Sequence, residues 1–291
     1  MADVLILGSG PAGISAAAYA ARGGLKVTVI GRDGGSLQKA EKIENYYGFA
    51  QPVSGQELIS TGIEQAKRLG AEVIADEVLA IDYDGEGYTV TAKGESRRAP
   101  CVILATGSAR RAPRIPGLAE YEGKGVSYCA VCDAFFYRGK DVAVLGGGEY
   151  ALHEALELLP VVGSVTMLTD GGEPAVEVPP EIKVIKEPVA ALLGESVLQA
   201  VTFKEGVTLP VSGVFVAIGV AGSSDLARKL GAEVSGTAIV VDAEMQTALP
   251  GLFAAGDCTG GMLQVAKAVY EGAKAGTSAL KYVRSLKAKN K

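Results

Sequence analysis

Cys129-Ala130-Val131-Cys132-Asp133 sets two thiols one helical turn apart with a carboxylic acid beside them. A C-x-x-C can be half of a zinc site or a redox pair. Zinc needs two further ligands, and Cys101, Cys258 and His153 are isolated, none in paired ligand spacing. No metal is therefore expected, and two inert buried thiols are the plain alternative. As a redox pair, the spacing lets one thiolate close and reopen a disulfide with its neighbour. Asp133 could then return a proton to a departing thiolate. His153, the single histidine, falls between Leu152 and Leu156 on a helix face and reads as structural. Cys258 reads as a small buried side chain.

The elements that must position this pair repeat along the chain. Val4-Leu5-Ile6-Leu7 runs into Gly8-Ser9-Gly10-Pro11-Ala12-Gly13 and an Ala-rich helical segment; Val142-Ala143-Val144-Leu145 runs into Gly146-Gly147-Gly148-Glu149-Tyr150-Ala151 and a second helix. Strand, G-x-G-x-x-G/A turn and helix together suit a dinucleotide. The first glycine turns the chain, the second admits a pyrophosphate, and the third position packs helix on strand. The helix N-terminus offers its unpaired N–H groups to the anion. A buried strand ending in a small-residue turn follows each copy, Cys101 to Gly107 and Gly213 to Gly219. Gly251 to Asp257 reads as the closing strand of the first copy. The expected architecture is α/β, with two Rossmann-like nucleotide-binding domains. The first is discontinuous, 1–112 with 244–291, and the second, 113–243, is inserted into it. The Pro-containing stretch Arg111 to Gly117 is the expected first linker. The second copy is short after its second strand, between Asp170 and Ile182, with room for little helix.

Composition agrees with a soluble α/β protein. The 291 residues hold 28 Lys+Arg against 33 Asp+Glu, a net charge of −5, which argues against nucleic acid or an anionic membrane as the main partner. A hydrophobic share of 48% excludes intrinsic disorder. The apolar runs are too short to cross a bilayer, and the N-terminus starts a strand with no basic leader, so the expected location is cytoplasmic. Four cysteines make no disulfide scaffold in a chain of this length.

The order GSGPAG, IENYYGF (Ile43 to Phe49), CVILATGS, CAVCDAFFYRGK (Cys129 to Lys140), VAVLGGG, GVFVAIG and MQTALPGLFAAGD (Met245 to Asp257) resembles the low-molecular-weight flavin thioredoxin reductases over essentially the whole chain. The resemblance implies tightly bound FAD, a homodimer, and reduction of a thioredoxin-like dithiol protein. It would place Gly8, Ser9, Gly10, Pro11, Ala12 and Gly13 on the FAD pyrophosphate. Gly35, Asn45, Val78, Thr106, Gly107, Gly256, Asp257, Gln264 and Val265 would line the rest of the flavin nucleotide. Cys132 would face the flavin and Cys129 would attack the partner's disulfide. Two positions depart from the family pattern: Leu263 replaces the Arg before Gln264, and Ser36 replaces the amide after Gly35.

A third departure concerns the electron donor. The NADPH-dependent members follow the second domain's second strand with a His-Arg-Arg-x-x-x-Arg block that clamps the 2′-phosphate. Here Thr169 to Glu177 holds no basic residue, and Asp170, Glu173 and Glu177 would repel a phosphate. NADPH is not expected. NADH is possible, because Asp170 lies about 20 residues beyond the glycine turn, where an acid meets ribose hydroxyls. The IENYYGF motif and the short central domain are most similar to the ferredoxin-dependent subgroup, which makes ferredoxin the first expectation. The basic tail Lys281, Arg284, Lys287, Lys289 and Lys291 could steer an acidic ferredoxin, but a solvated helix end is the preferred reading. A non-catalytic flavin-binding protein and a thiol oxidase are the remaining alternatives.

Overall fold

Val4-Leu5-Ile6-Leu7 is buried at every residue, as a strand covered on both faces must be, and forms β1 (Val4–Leu7). The chain continues through α1 (Pro11–Arg22), β2 (Val27–Ile30), α2 (Gly55–Arg68), β3 (Glu72–Ile74), an antiparallel run β4 (Val78–Tyr83), β5 (Tyr88–Ala92) and β6 (Ser96–Ala99), and β7 (Val102–Leu104). It then enters a second unit holding β8 (Val126–Ser127), α3 (Ala130–Asp133), β9 (Asp141–Leu145), α4 (Glu149–Leu158), β10 (Ser164–Leu168), β11 (Lys183–Ile185), β12 (Val189–Gly194), β13 (Leu198–Phe203), β14 (Thr208–Pro210) and β15 (Gly213–Val216). The return brings α5 (Ser223–Lys229), β16 (Val234–Ser235), β17 (Ala238–Ile239), β18 (Leu252–Ala254) and α6 (Val265–Lys289). This computed structural model describes residues 1–107, 113–219 and 222–289.

Each unit contains a five-stranded parallel sheet, in the order β18-β7-β1-β2-β3 and β11-β10-β9-β15-β8, and a three-stranded antiparallel sheet, β4-β5-β6 and β12-β13-β14. Read from opposite ends, the two parallel sheets match strand for strand, with β8 standing where β18 stands. The internal repeat of the sequence is thus a repeat of architecture. One member is missing: α2 carries the chain from β2 to β3, whereas residues 169–182 between β10 and β11 contain no helix. In the first unit α1 and α6 lie against the sheet and bury Ala16, Ala17, Ala20, Ala275 and Ala279. Small side chains allow this close approach: a Cβ on Gly276 would stand 2.4 Å from the Ala16 carbonyl oxygen.

The units divide as Met1–Arg110 with Gly222–Lys291, and Arg111–Ala221. The return therefore falls 22 residues earlier than the expected 243/244 boundary, and the departure falls at 110/111 in place of 112/113. The reason for the early return is local. Ser223, fully buried, accepts the Thr106 N–H at 3.0 Å with its hydroxyl, which also lies 2.7 Å from the Thr106 hydroxyl. α5 packs on β4, and β17 packs beside the turn Asp257–Thr259. Of the expected linker, Arg111 and Ala112 lie outside the described residues.

Candidate functional site

Cys129 and Cys132 are joined by a disulfide, with Cα atoms 5.3 Å apart. Cys129 caps the single-turn helix α3, and its Sγ accepts the Cys132 N–H at 3.1 Å. Ser127, buried at the end of β8, organises the turn. Its hydroxyl accepts the Cys129 N–H at 3.1 Å and donates to Asp133 Oδ2 at 2.7 Å. With one proton to give, it makes only a weak approach to the Cys129 carbonyl at 3.3 Å. Asp133 is thereby held beside the pair, and its charge, second to burial, raises the Tyr137 phenol above its ordinary value. Beneath the turn, Glu154 on α4 is 1% exposed and accepts the Ala130 N–H through Oε2 at 2.7 Å. Ser127 and Glu154 carry no signal in the sequence. Cys129 is buried and Cys132 exposed, the opposite of what surface attack by Cys129 would suggest. Val131, between the two cysteines, and Phe135 and Phe136, in the turn that follows, are 60%, 69% and 68% exposed. Arg138 covers the Phe135 ring at 5.3 Å. A cleft of about 570 Å³ adjoins Phe136 and Tyr137 and includes Lys124 and Lys140.

The first glycine turn is built for a close ligand. Gly8 has φ +113°, and a Cβ there would stand 2.2 Å from the Ala105 carbonyl oxygen; one on Gly13 would stand 1.9 Å from the Gly8 oxygen. Gly10 is different: a Cβ would meet only the Gly34 oxygen, at 3.8 Å. That open position lies at the cap of α1, which begins with Pro11, has no side-chain cap and no acid in its first turn. A pyrophosphate fits such a cradle. Ser9 donates its hydroxyl to the Asp33 carbonyl at 2.9 Å. Gly256, with φ +86°, brings the closing turn against α1, since a Cβ there would lie 2.8 Å from the Ala12 Cβ. Asp257 follows, its carboxyl raised by burial.

Other predicted residues meet in pairs. Asn45 donates its amide to the Gln264 oxygen at 3.0 Å, and Val265 begins α6 immediately after. Thr106 is tied to Ser223, Gly107 has φ +81°, and Gly35 opens a 3-10 turn at φ +71°. Val78 begins β4, in the antiparallel sheet and not in the sheet that carries the glycine turn.

A largely buried cation that sequence reasoning missed braces the closing turn. Lys267 Nζ donates to the carbonyls of Gly256 at 2.7 Å and Gly260 at 2.6 Å, reaches the Thr259 hydroxyl at 2.8 Å, and pairs with Glu271 at 3.1 Å. Glu271 in turn accepts the Gly256 N–H at 2.9 Å. In the sequence this is an unremarked Lys-Glu pair at i,i+4.

The second glycine turn repeats the geometry but not the surroundings. Gly146 has φ +149°, with its added Cβ 2.3 Å from the Ala217 oxygen, and Gly148 meets only the Gly219 oxygen at 3.9 Å. Asp170, at φ +51°, turns its Oδ1 to the Val189 N–H at 2.8 Å. Lys186, whose carbonyl accepts the Gly171 N–H, spends its ammonium on Glu173 at 2.6 Å. The Ala175 N–H closes the segment back onto the Gly147 carbonyl at 2.7 Å.

The basic tail is partly engaged: Lys287 pairs with Asp3 at 2.6 Å, Arg284 donates to the Gly23 carbonyl at 2.9 Å, and Lys281 meets Glu244 at 3.4 Å. Lys291 lies outside the described residues. Among the described residues no cluster of three or more His, Cys, Asp and Glu could hold a metal, and no helix is long and apolar enough to cross a membrane. Cys101 and Cys258 are free thiols, fully buried. Burial pushes the Cys258 thiol up to about 12 and Cys101 higher still. After mild reduction, native protein treated with iodoacetamide at pH 8 should therefore gain two adducts, and denatured protein four, by intact mass. A third adduct on the native protein would show that one of the buried thiols is reactive.

The family model described as pyridine nucleotide-disulphide oxidoreductase matches residues 2–272. A thioredoxin reductase of Aquifex aeolicus is 37% identical over 277 residues, covering 88% of this chain and 84% of that protein. The crystal structure of the atypical thioredoxin reductase TRi from Desulfovibrio vulgaris Hildenborough superposes with a TM-score of 0.92 at 41% identity, covering 98% of this chain and 99% of that one. A ferredoxin-flavin thioredoxin reductase from Clostridium acetobutylicum superposes with a TM-score of 0.73 at 30% identity, covering 98% of both chains. With the disulfide on its one-turn helix and two glycine turns in repeated sheets, the chain belongs to the pyridine nucleotide-disulphide oxidoreductases and, within them, to the thioredoxin reductase family.

Proposed function

We propose that this protein reduces the disulfide of a thioredoxin-like protein through Cys129–Cys132, with FAD as cofactor and ferredoxin as donor. The observation that carries the reading is the disulfide itself, set on a one-turn helix beside Asp133, with exposed apolar side chains between and just after the two cysteines. FAD, when bound, would supply electrons to the pair after taking them from the donor. Gly8, Ser9, Gly10, Pro11, Ala12 and Gly13 would hold its pyrophosphate, and Asp257 with Gln264 and Asn45 would contact the remainder. Two electrons and two protons convert the disulfide to a dithiol, one proton being relayed by Asp133 under the control of Ser127. The Cys129 thiolate, stabilised by the Cys132 N–H, attacks the partner's disulfide and expels one of its thiolates. The Cys132 thiolate then attacks Cys129 Sγ, releasing the partner as a dithiol and restoring the Cys129–Cys132 bond. Val131, Phe135 and Phe136 offer the partner an apolar landing surface. The homodimer that the family resemblance implies would be tested by sedimentation velocity.

Ferredoxin is preferred because residues 169–177, where a 2′-phosphate clamp would stand, hold no Lys or Arg. Asp170 is turned to its own backbone, and Lys186 is committed to Glu173. Anaerobic mixing of the purified protein with NADH, NADPH and reduced ferredoxin, each followed by flavin absorbance, tests this. Bleaching by ferredoxin alone is the expected result. Rapid bleaching by NADH would overturn the donor assignment and require Asp170 to release Val189.

A further inference from the structure

Glu154 is a carboxylic acid that is 1% exposed, directly beneath the redox turn, and no step of the proposed reaction uses it. Burying a carboxylate is costly without compensating contacts. One of its contacts is the Ala130 N–H, at 2.7 Å, the first amide after Cys129. A cap side chain takes its amides from the second and third helical residues, not the first. The Cys132 N–H is the amide aimed at Cys129 Sγ, while Glu154 holds the peptide between them.

We propose that Glu154 is a positioning residue for the redox pair: its carboxylate fixes the Ala130 peptide that follows Cys129 and opposes thiolate formation by its charge. The inference rests on the reading of Cys129–Cys132 as the working pair. It explains how a cysteine at a helix start is kept from becoming a permanently ionised thiol. The reduced pair then holds its protons until a partner arrives, and the thiolate forms when it is needed for attack. The other titratable groups on the elements packed around α3 are Asp133 and Tyr137 in the same segment, and Glu149, Tyr150, His153 and Glu157 on α4.

The test is the pH profile of iodoacetamide reaction at the reduced pair, read by peptide mass after quenching. Glu154→Gln keeps an oxygen for the Ala130 N–H and removes only the charge. The apparent thiol pKa should fall by about one unit, as expected for loss of a nearby like charge. Alkylation at pH 7 should rise about threefold, because greater ionisation outweighs the lower nucleophilicity of a more acidic thiol. An unchanged profile in Glu154→Gln overturns the proposal. Should that variant not fold, the unaltered protein decides: a midpoint at or above the ordinary thiol value of about 8.5 is expected, and a midpoint below 7 overturns the idea. The measurement involves no electron donor and no protein partner. If the pair titrates as predicted yet Cys132→Ser leaves turnover intact, the functional reading fails while the role of Glu154 stands.

Discussion

A Cys132→Ser protein should retain its flavin, accept electrons at the native rate, and lose disulfide reduction by about 10³-fold or more, the scale seen when an essential nucleophile is removed. The loss follows from the electron path. Without the second sulfur, no internal disulfide is there to take up the electron pair, and a mixed disulfide formed by Cys129 has no resolving thiolate. The same variant should accumulate a covalent adduct with its protein partner, seen on non-reducing gels and reversed by dithiothreitol. Cys129→Ser should be equally inactive but form little adduct. This pair of variants also settles the order of attack, since Cys129 is 6% exposed whereas Cys132 lies at the surface. If Cys129→Ser forms the adduct and Cys132→Ser does not, Cys132 is the attacking residue and the assignment is reversed. Turnover above a tenth of native in Cys132→Ser would sink the redox-pair mechanism.

The second large effect is expected at Lys267. Its side chain and that of Glu271 are 13% and 12% exposed, so their mutual attraction is little screened and either charge left alone would be poorly solvated. Breaking a buried pair from one side typically costs about 3–5 kcal/mol. Lys267→Met keeps the aliphatic stem but strands Glu271 and frees the Gly256 and Gly260 carbonyls. Thr259 offers little rescue. Its one proton already serves either the Gly256 carbonyl at 2.7 Å or Glu271 at 2.8 Å. A lowered thermal midpoint and release of flavin during gel filtration are the expected results. Lys267→Met combined with Glu271→Leu should recover most of the thermal stability, because no lone charge remains. It should recover less of the flavin, because the Gly256 peptide stays unbraced. A single variant with native midpoint and native flavin content would reduce Lys267 to a bystander.

What could be read from sequence, and what could not, follows from how each feature is encoded. Gly8, Gly13 and Gly146 are legible because no other residue tolerates those carbonyls so near. The C-x-x-C is legible because covalent chemistry needs both sulfurs at fixed spacing. Ser127 and Glu154 are common residue types whose importance comes only from being brought under α3 by β8 and α4. Asp170 shows the converse: its position matches a ribose-binding acid, but position along a chain does not say which way a carboxylate turns. The early return at Gly222 was hidden for a similar reason, since Ser223 is tied to Thr106, 117 residues earlier.

The placement of β8 and β18 carries a consequence for how the protein is made. All five strands of the second parallel sheet lie between Val126 and Val216, so a nascent chain that has emerged to Ala221 holds everything that sheet requires. The first sheet at that moment has β1, β2, β3 and β7 but lacks β18, and the outer edge of β7 is unpaired. Synthesis therefore lets the inserted unit close while the unit that began earlier waits with an open edge, a template for unwanted pairing. The stretch that finally covers that edge also delivers Asp257, Gln264 and the Lys267–Glu271 pair. Completion of the first sheet and arrival of the residues proposed to finish its nucleotide cradle are, in the order of synthesis, one event.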